Sequence, residues 1–388
     1  MIPYGRQDVT QADVDAVTAV LRSDFLTQGP QVPRFEAAIA GYCGARHAFA
    51  VNSATSALHI ACLALNLGPG DWLWTSPITF VASANCARYC GAQVDFVDID
   101  PLTFNMSVEA LRTKLVKAAA EGRLPKVVVP VHMAGQSCNM RAIHELAQQY
   151  GFHIIEDASH AIGGKYLEEP VGSCRYSDIT VFSFHPVKII TTAEGGMAVT
   201  NDASLANRMA LLRSHGMTRN SDEMDRPPDG AWYYQQIDLG FNYRMTELQA
   251  ALGVSQMERL DSYVTRRHEL ARRYDALLAD LPVSTPYQAN YSYSAFHLYI
   301  IGVGDNGGPD RAAVFDALRS NGIGVNVHYI PIHTQPYYAR MGQQVGYDNA
   351  SFPHASAYYG RAISLPLYAT LSEEQQDTVV DVLRKVLT

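Results

Sequence analysis

The chain has 388 residues, more than one ordinary core accommodates, so two domains are expected. Hydrophobic residues make up 47% and charged residues 18%, the balance of a packed chain and not of a disordered one. Its formal net charge of −8 gives no basic footprint for nucleic acid, so an anionic ligand has to be met by local donors.

In chain order, residues 47–53 read as an apolar strand ending at Asn52-Ser53, and 55–67 have helical spacing. Gly68-Pro69-Gly70-Asp71 is a turn. Strands are expected at 72–76 and 93–99 with a helix at 79–90 between them. A helix over Ser107–Ala120, a Val-rich buried strand at Lys126–Val131, a helix over Met140–Tyr150 and a strand at His153–Glu156 follow. Ile179–Phe184 and Gly196–Thr200 add two strands before a helix at 202–214. This alternation predicts an α/β fold, with a mostly parallel, seven-stranded sheet and helices on both faces.

Residues 218–236 are rich in Asp, Pro, Gly and Asn and read as a long loop. Beyond about residue 250 the pattern changes. A long charged helical stretch, Glu247–Leu278, leads to strands near 296–302 and 323–328, with a turn at Gly304-Asp305-Asn306-Gly307-Gly308. The expected division is a large domain over 1–250 and a smaller C-terminal α+β domain over 251–388.

Residues 1–20 lack the basic start and apolar core of a signal peptide, and no apolar stretch approaches the length of a membrane span. Cys43, Cys62, Cys86, Cys90, Cys138 and Cys174 form no C-x-x-C pair and mostly lie in apolar segments. They read as reduced, buried thiols in a cytoplasmic protein, with a Cys86–Cys90 redox pair as the alternative. The 13 histidines are scattered. His328 and His333 lack a ligand spacing with a nearby carboxylate, so no metal is expected.

Ligands of open α/β sheets sit at the carboxyl ends of strands, and three candidates fall there. At Asn52-Ser53-Ala54-Thr55-Ser56 a strand gives way to a helix, and its free N–H groups with the Thr55 hydroxyl suit a phosphate. An ordinary helix cap is the alternative. Asp157, in Glu156-Asp157-Ala158-Ser159-His160, ends an apolar run. A carboxylate about 4 Å from a pyridinium nitrogen gains roughly 4 kcal/mol at an effective dielectric of about 20, about three pKa units toward the protonated ring. Lys188, among Phe184, Pro186, Val187, Ile189 and Ile190, is unusual, because lysines are mostly solvated. A lysine forming a Schiff base with an aldehyde and an aspartate holding a proton on a pyridine nitrogen are the chemistry of pyridoxal phosphate (PLP). Phe80, at a helix start, suits stacking on that ring, or belongs to the core.

With those residues in view, the chain resembles the DegT/StrS-type nucleotide-sugar aminotransferases, PLP enzymes of fold type I. The resemblance covers nearly the whole chain. It is carried by Leu26-Thr27-Gln28-Gly29-Pro30, Asn52 to Leu58, Glu156 to His160, Ser183 to Gly196, and Gly240-Phe241-Asn242-Tyr243-Arg244-Met245. The motifs Pro77 to Ala82, Leu212 to Met217 and Val327 to Ile332 are most similar to the branch that serves pseudaminic acid biosynthesis. That branch makes UDP-4-amino-4,6-dideoxy-N-acetyl-β-L-altrosamine from a UDP-linked 4-keto sugar, with L-glutamate as donor.

The resemblance implies roles residue by residue. Lys188 is the Schiff-base lysine and proton shuttle, Asp157 pairs with the ring nitrogen, Phe80 stacks on the ring, and His160 lies near its 3-hydroxyl. Some members carry a glutamine at that last position. Ala54, Thr55 and Ser183 hold the cofactor phosphate, which Asn242 reaches from the other subunit of a homodimer. Tyr4, the segment Asp24, Phe25, Leu26 and Thr27, and the segment Asn326, Val327, His328 and Tyr329 match positions that contact the nucleotide sugar, with Ala54, Ser183, His185 and Asn242 beside them. The planar fork of Arg244 suits a glutamate carboxylate, or a helix-start ion pair. A PLP-dependent dehydratase on this fold carries histidine in place of the lysine, so Lys188 argues against it. A non-catalytic sugar-nucleotide-binding relative is the rival from another class.

Overall fold

In the computed structural model, residues 1–304 and 308–388 are described; the predicted turn's Asp305, Asn306 and Gly307 lie outside them. The seven strands of the main sheet are β1 (His47–Val51), β2 (Trp72–Thr75), β3 (Gln93–Phe96), β4 (Val127–Val129), β5 (His153–Asp157), β6 (Ile179–Ser183) and β7 (Gly196–Thr200). Their order is β1-β7-β6-β5-β4-β2-β3. Only β7 runs against its neighbours. Central strands covered on both faces need near-continuous apolar runs; Val127–Val129 meets that demand and is buried throughout, and Ile179–Val181 is buried too, with the Thr180 hydroxyl on Glu156. The expected mostly parallel sheet is therefore present.

Helix α3 (Ala54–Ala64) starts directly after β1, where the Ser53 hydroxyl accepts the Ser56 N–H at 3.1 Å. Helix α4 (Ala82–Tyr89) begins three residues later than the predicted 79. Phe80 is thus left in the turn before the helix.

Two N-terminal helices had no counterpart among the expected elements, α1 (Gln11–Leu21) and α2 (Gln31–Cys43). The first is opened by a reciprocal cap between Thr10 and Asp13. The second buries Phe35, Ile39 and Cys43, four residues apart and so on one face.

Two C-terminal expectations are corrected. The stretch Glu247–Leu278 is two helices, Glu247–Met257 and Leu260–Leu277. The break falls at Arg259, whose guanidinium is drawn to both oxygens of buried Asp13 at 2.6 and 2.7 Å. Residues 323–328 form no strand. Ile323 makes a single bridge to Ile2, and Asn326 one to Ser364. Two glycines explain this. Gly322 has φ +75°, and a Cβ at Gly324 would meet the Ile2 carbonyl at 3.0 Å, so the N-terminal residues lie where a ladder partner would. Ser364 belongs to the two-stranded sheet Tyr299–Gly302/Ala362–Leu365. The predicted loop at 218–236 carries one short pairing, Met217–Thr218 with Gln235–Gln236.

The second half of Leu260–Leu277 shares an apolar cluster with Tyr299, Val314, Leu365 and Leu383, and Ile2 packs against it. Among the described residues no helix is long and apolar enough to cross a membrane.

Candidate active site

Asp157 ends β5 and is buried. Its main chain is fixed by Asp157 N donating to the Pro130 carbonyl at 2.9 Å and by its own carbonyl accepting His132 N–H at 3.1 Å. Each carboxylate oxygen has one protein donor: Ser83 Oγ at 2.6 Å on Oδ2, and Ser159 N at 3.1 Å on Oδ1. Ser83 in turn shares a 2.9 Å hydrogen bond with Thr79. The preceding Glu156 is turned to the other side. Burial would raise its carboxyl, but His132 Nε2 at 2.7 Å, Ser177 and Thr180 outweigh that and hold it ionised. His132 Nδ1 accepts the Cys138 N–H at 3.1 Å, so its proton lies on Nε2.

Lys188 sits in the loop after β6. That loop is closed by Phe184 N to the Gly195 carbonyl and Thr192 N to the Phe184 carbonyl, both at 3.0 Å. Burial brings the Lys188 amine down to about 8, against the pull of nearby Asp157. Burial, and after it the Lys188 charge, push three imidazoles down as well, His160, His297 and His328, the last to about 3. His160 Nε2 lies 2.9 Å from the Tyr329 hydroxyl, and its ring is 4.4 Å from that of His297. The His160 Nδ1 is buried with no partner. Burial raises the Tyr329 phenol, with Asp157, Tyr4 and Tyr358 adding to it, so it keeps its proton. His328 Nδ1 is 2.7 Å from Ser364 Oγ. Tyr4 lies with its ring 5.4 Å from His328, its phenol raised by burial and partly offset by Asn326. Phe80, 58% exposed, stands 6.2 Å from the Tyr329 ring. The structure therefore gathers Asp157, His160, Lys188, His328, Tyr329, Tyr4, Asn326 and Phe80 from distant parts of the chain.

Ala54, Thr55 and Ser183 meet beside them. Ser183 pairs with Gly196 in register, and a Cβ on Gly196 would lie 2.5 Å from the Ala54 nitrogen. Glycine is required there so that β7 can pass the start of α3, which leaves free N–H groups beside the end of β6.

Other predicted residues lie elsewhere on this chain. Asn242 is exposed and bridges Ser214, while Arg244 bridges Val51 and lines a cavity of about 210 Å³ with Gln28, Glu36 and Arg213. The Asp24–Thr27 segment is exposed and held by Thr246 and Glu247, through a Thr27 bridge and Glu247 N on the Leu26 carbonyl. His185 is exposed and Val327 half-buried. Ser83, Thr79 and His297 were missed by sequence. The i, i+4 spacing of Thr79 and Ser83 was a weak signal, and His297 carried none.

A carboxylate, a half-buried amine of lowered basicity, an imidazole nitrogen awaiting a partner, an open aromatic face and helix-start N–H groups fit a phosphorylated pyridine aldehyde. The chain belongs to the DegT/DnrJ/EryC1/StrS aminotransferase family, whose model matches residues 7–384. It is a PLP-dependent sugar aminotransferase of fold type I. It is 40% identical over its full length, and 97% of the relative's, to a spore coat polysaccharide biosynthesis protein, SpsC, of Bacillus subtilis. It is 36% identical, over 100% of this chain and 98% of the other, to a UDP-4-amino-4,6-dideoxy-N-acetyl-β-L-altrosamine transaminase of Campylobacter jejuni. Among solved structures it is similar to PseC of Helicobacter pylori, an aminotransferase of pseudaminic acid biosynthesis, with a TM-score of 0.88, 31% identity and coverage of 100% and 99%.

Proposed function

We propose that the chain transfers an amino group from L-glutamate to a UDP-linked 4-keto-6-deoxy-N-acetylhexosamine, giving UDP-4-amino-4,6-dideoxy-N-acetyl-β-L-altrosamine. The observation that carries the chemistry is the Lys188 amine, half-buried and lowered in basicity, near Asp157 and the imidazoles of His160 and His328. The full-length likeness to the Campylobacter jejuni transaminase supports the sugar. When bound, PLP supplies an electron sink that stabilises negative charge at the carbon losing a proton.

In this proposal Lys188, about a tenth neutral at pH 7 from a value near 8, takes the proton from the donor α-carbon and returns it on the acceptor side. Asp157, oriented by Ser83 and Ser159, keeps a proton on the ring nitrogen. His160 would meet the ring hydroxyl with its unpartnered nitrogen, while Nε2 is engaged by the Tyr329 hydroxyl at 2.9 Å. Phe80 covers one ring face. Ala54, Thr55 and Ser183 receive the phosphate, and Asn242 of a second copy completes that site, so the working form is a homodimer. Tyr4, Asp24–Thr27, His185 and Asn326–Tyr329 line the nucleotide-sugar cleft, and Arg244 takes a glutamate carboxylate. Binding energy from the remote UDP group orients the keto carbon. The chain is taken as cytoplasmic and as two domains, 1–250 and 251–388.

A second reading, amination of another nucleotide-linked keto sugar, is favoured by the 40% identity to SpsC. The test is kcat/KM for the L-altro-series 4-keto sugar against its D-configured epimer and dTDP-4-keto-6-deoxyglucose. Tenfold better use of either alternative rejects the altrosamine assignment. Efficient use of a simple 2-oxo acid with no keto sugar accepted rejects sugar amination altogether.

A further inference from the structure

Two imidazole nitrogens of the site are buried with no partner, Nδ1 of His160 and Nδ1 of His297. His160 lies in the turn after β5, and its side chain is buried. A Cβ at Gly135 would meet the His160 carbonyl and the His297 nitrogen, each at 3.0 Å, so glycine there lets the two histidine segments lie side by side. The His160 ring is held between two others. His297 is 4.4 Å away, and Tyr329 is 6.0 Å away with its plane inclined by 21°. The Tyr329 segment is fixed on both sides. The Tyr358 hydroxyl donates to the His328 carbonyl, and the Ile332 N–H donates to the Pro77 carbonyl at 2.9 Å. His160 Nε2 lies 2.9 Å from the Tyr329 hydroxyl, which has no other hydrogen-bond partner among the described residues.

The direction of that bond follows from what each arrangement leaves unpaired. No carboxylate is paired with His160 among the described residues, and burial, with the Lys188 charge after it, holds the imidazole well below its usual value. The ring is therefore neutral and carries one hydrogen. If that hydrogen sat on Nε2 and went to Tyr329, the phenol hydrogen and a bare Nδ1 would both go unmet. With the hydrogen on Nδ1, the Tyr329 hydroxyl donates to Nε2 and only the Nδ1 hydrogen is unmet. The second arrangement leaves one fewer unpaired polar group, and such groups are costly away from water. We propose, on the reading that places His160 at the cofactor's ring hydroxyl, that Tyr329 is a positioning residue: it keeps the His160 proton on Nδ1, so that this nitrogen meets the ring oxygen as a donor.

A donor at Nδ1 favours the ring oxygen as an anion, whereas a bare nitrogen there would favour it protonated. Tyr329 thereby acts on the ring oxygen through His160. Phenylalanine at 329 keeps the aromatic ring and withdraws the hydrogen, which frees His160 to carry its proton on either nitrogen. Glutamine at 160 offers an acceptor oxygen to Tyr329 and an N–H to the ring oxygen, so it preserves the polarity of the pair, while leucine offers neither. His297, against the His160 ring, limits its turning over, a motion that would break the Tyr329 bond.

The test has two parts. The first is long-range proton–nitrogen NMR of the full chain labelled at its histidine nitrogens, without cofactor, so that the protein alone sets the proton. The His160 signals are those missing from His160→Gln. The expected result is a protonated Nδ1 and a bare Nε2, with that preference lost in Tyr329→Phe. The second part uses the cofactor-loaded protein. Tyr329→Phe should change the visible absorption spectrum of the bound cofactor. His160→Leu should weaken cofactor binding at least about tenfold, the loss of one hydrogen bond to a charged group, and His160→Gln should recover most of that loss. A proton on Nε2 of native His160, or a tautomer and spectrum unchanged in Tyr329→Phe, would overturn the role of Tyr329 while leaving His160 in place. Cofactor affinity unchanged in His160→Leu would instead reject the placement of His160. A His160→Gln chain that binds cofactor as poorly as His160→Leu would overturn the donor assignment. Should Tyr329→Phe fail to fold, the tautomer of the native chain decides alone.

Discussion

Ser83 touches no substrate atom in the proposed chemistry, yet it is the residue that orients the carboxylate on which that chemistry turns. Its hydroxyl is 2.6 Å from Asp157 Oδ2 in a fully buried setting. A hydrogen bond to a charged group contributes about 1.5–3 kcal/mol, and its loss leaves a buried carboxylate oxygen unpaired. Ser83→Ala should therefore lower kcat/KM by about 10- to 150-fold, since each 1.36 kcal/mol is a factor of ten. Thr79 touches Asp157 only through Ser83, so Thr79→Val loses a neutral contact of about 0.5–1.5 kcal/mol and at most about tenfold in rate. Steady-state kinetics, cofactor titration and the unfolding midpoint of the cofactor-free protein separate the cases. A positioning role weakens cofactor binding and turnover while the midpoint barely moves; a purely structural role lowers the midpoint in proportion. A folded Ser83→Ala within twofold of wild type in kcat/KM and cofactor affinity would refute the reasoning, as would a larger loss for Thr79→Val than for Ser83→Ala.

Lys188→Ala should abolish turnover and the visible absorbance of the cofactor-bound form while the chain still folds; retention of both rejects the assignment. In cofactor-free protein the Lys188 amine falls from 10.5 to about 8, so between those pH values the unfolded chain holds the extra proton and stability rises with pH. Lys188→Met should remove that rise and gain up to about 3 kcal/mol at pH 7 by denaturant unfolding, and a less stable Met variant contradicts the burial argument. Asp157→Asn should retain some cofactor and lose most activity, and near-normal turnover would exclude the ring-nitrogen role. Mixing inactive Lys188→Ala with inactive Asn242→Ala should restore activity through one intact site per mixed dimer; no recovery after confirmed subunit exchange argues against a shared site.

How far sequence reached depended on whether a signal was local. The central main-sheet strands are buried on both faces, and that leaves an unbroken apolar run, as at Val127–Val129. Lys188 and Asp157 stood out because charged groups in apolar runs need a partner. The N-terminal helix carried its cap in plain view at Thr10 and Asp13, but half of its remaining face is polar and exposed. Residues 323–328 alternate like a strand, and what denies them a ladder is Ile2, more than 300 positions away. Ser83 and His297 matter only through contacts of 74 and 137 positions in sequence, with Asp157 and His160, which periodicity cannot register.

The group around Lys188 also explains how one amine can serve as the site's base. His160, His297 and His328 surround it, and in water any of them would titrate near neutrality and compete for the same proton. Burial, the Lys188 charge and their mutual proximity push all three down. Nearby Arg267 adds to this at His297; its guanidinium gives its own hydrogens to the Phe296, His297 and Leu367 carbonyls at 3.0–3.1 Å. The Tyr329 phenol is held in its protonated form on the other side of His160. At pH 7 the imidazoles are neutral, the phenol is neutral, and Lys188 alone of this group lies within about one unit of exchanging a proton. Burial, which costs the fold stability at Lys188, is thus what leaves a single titrating base beside Asp157.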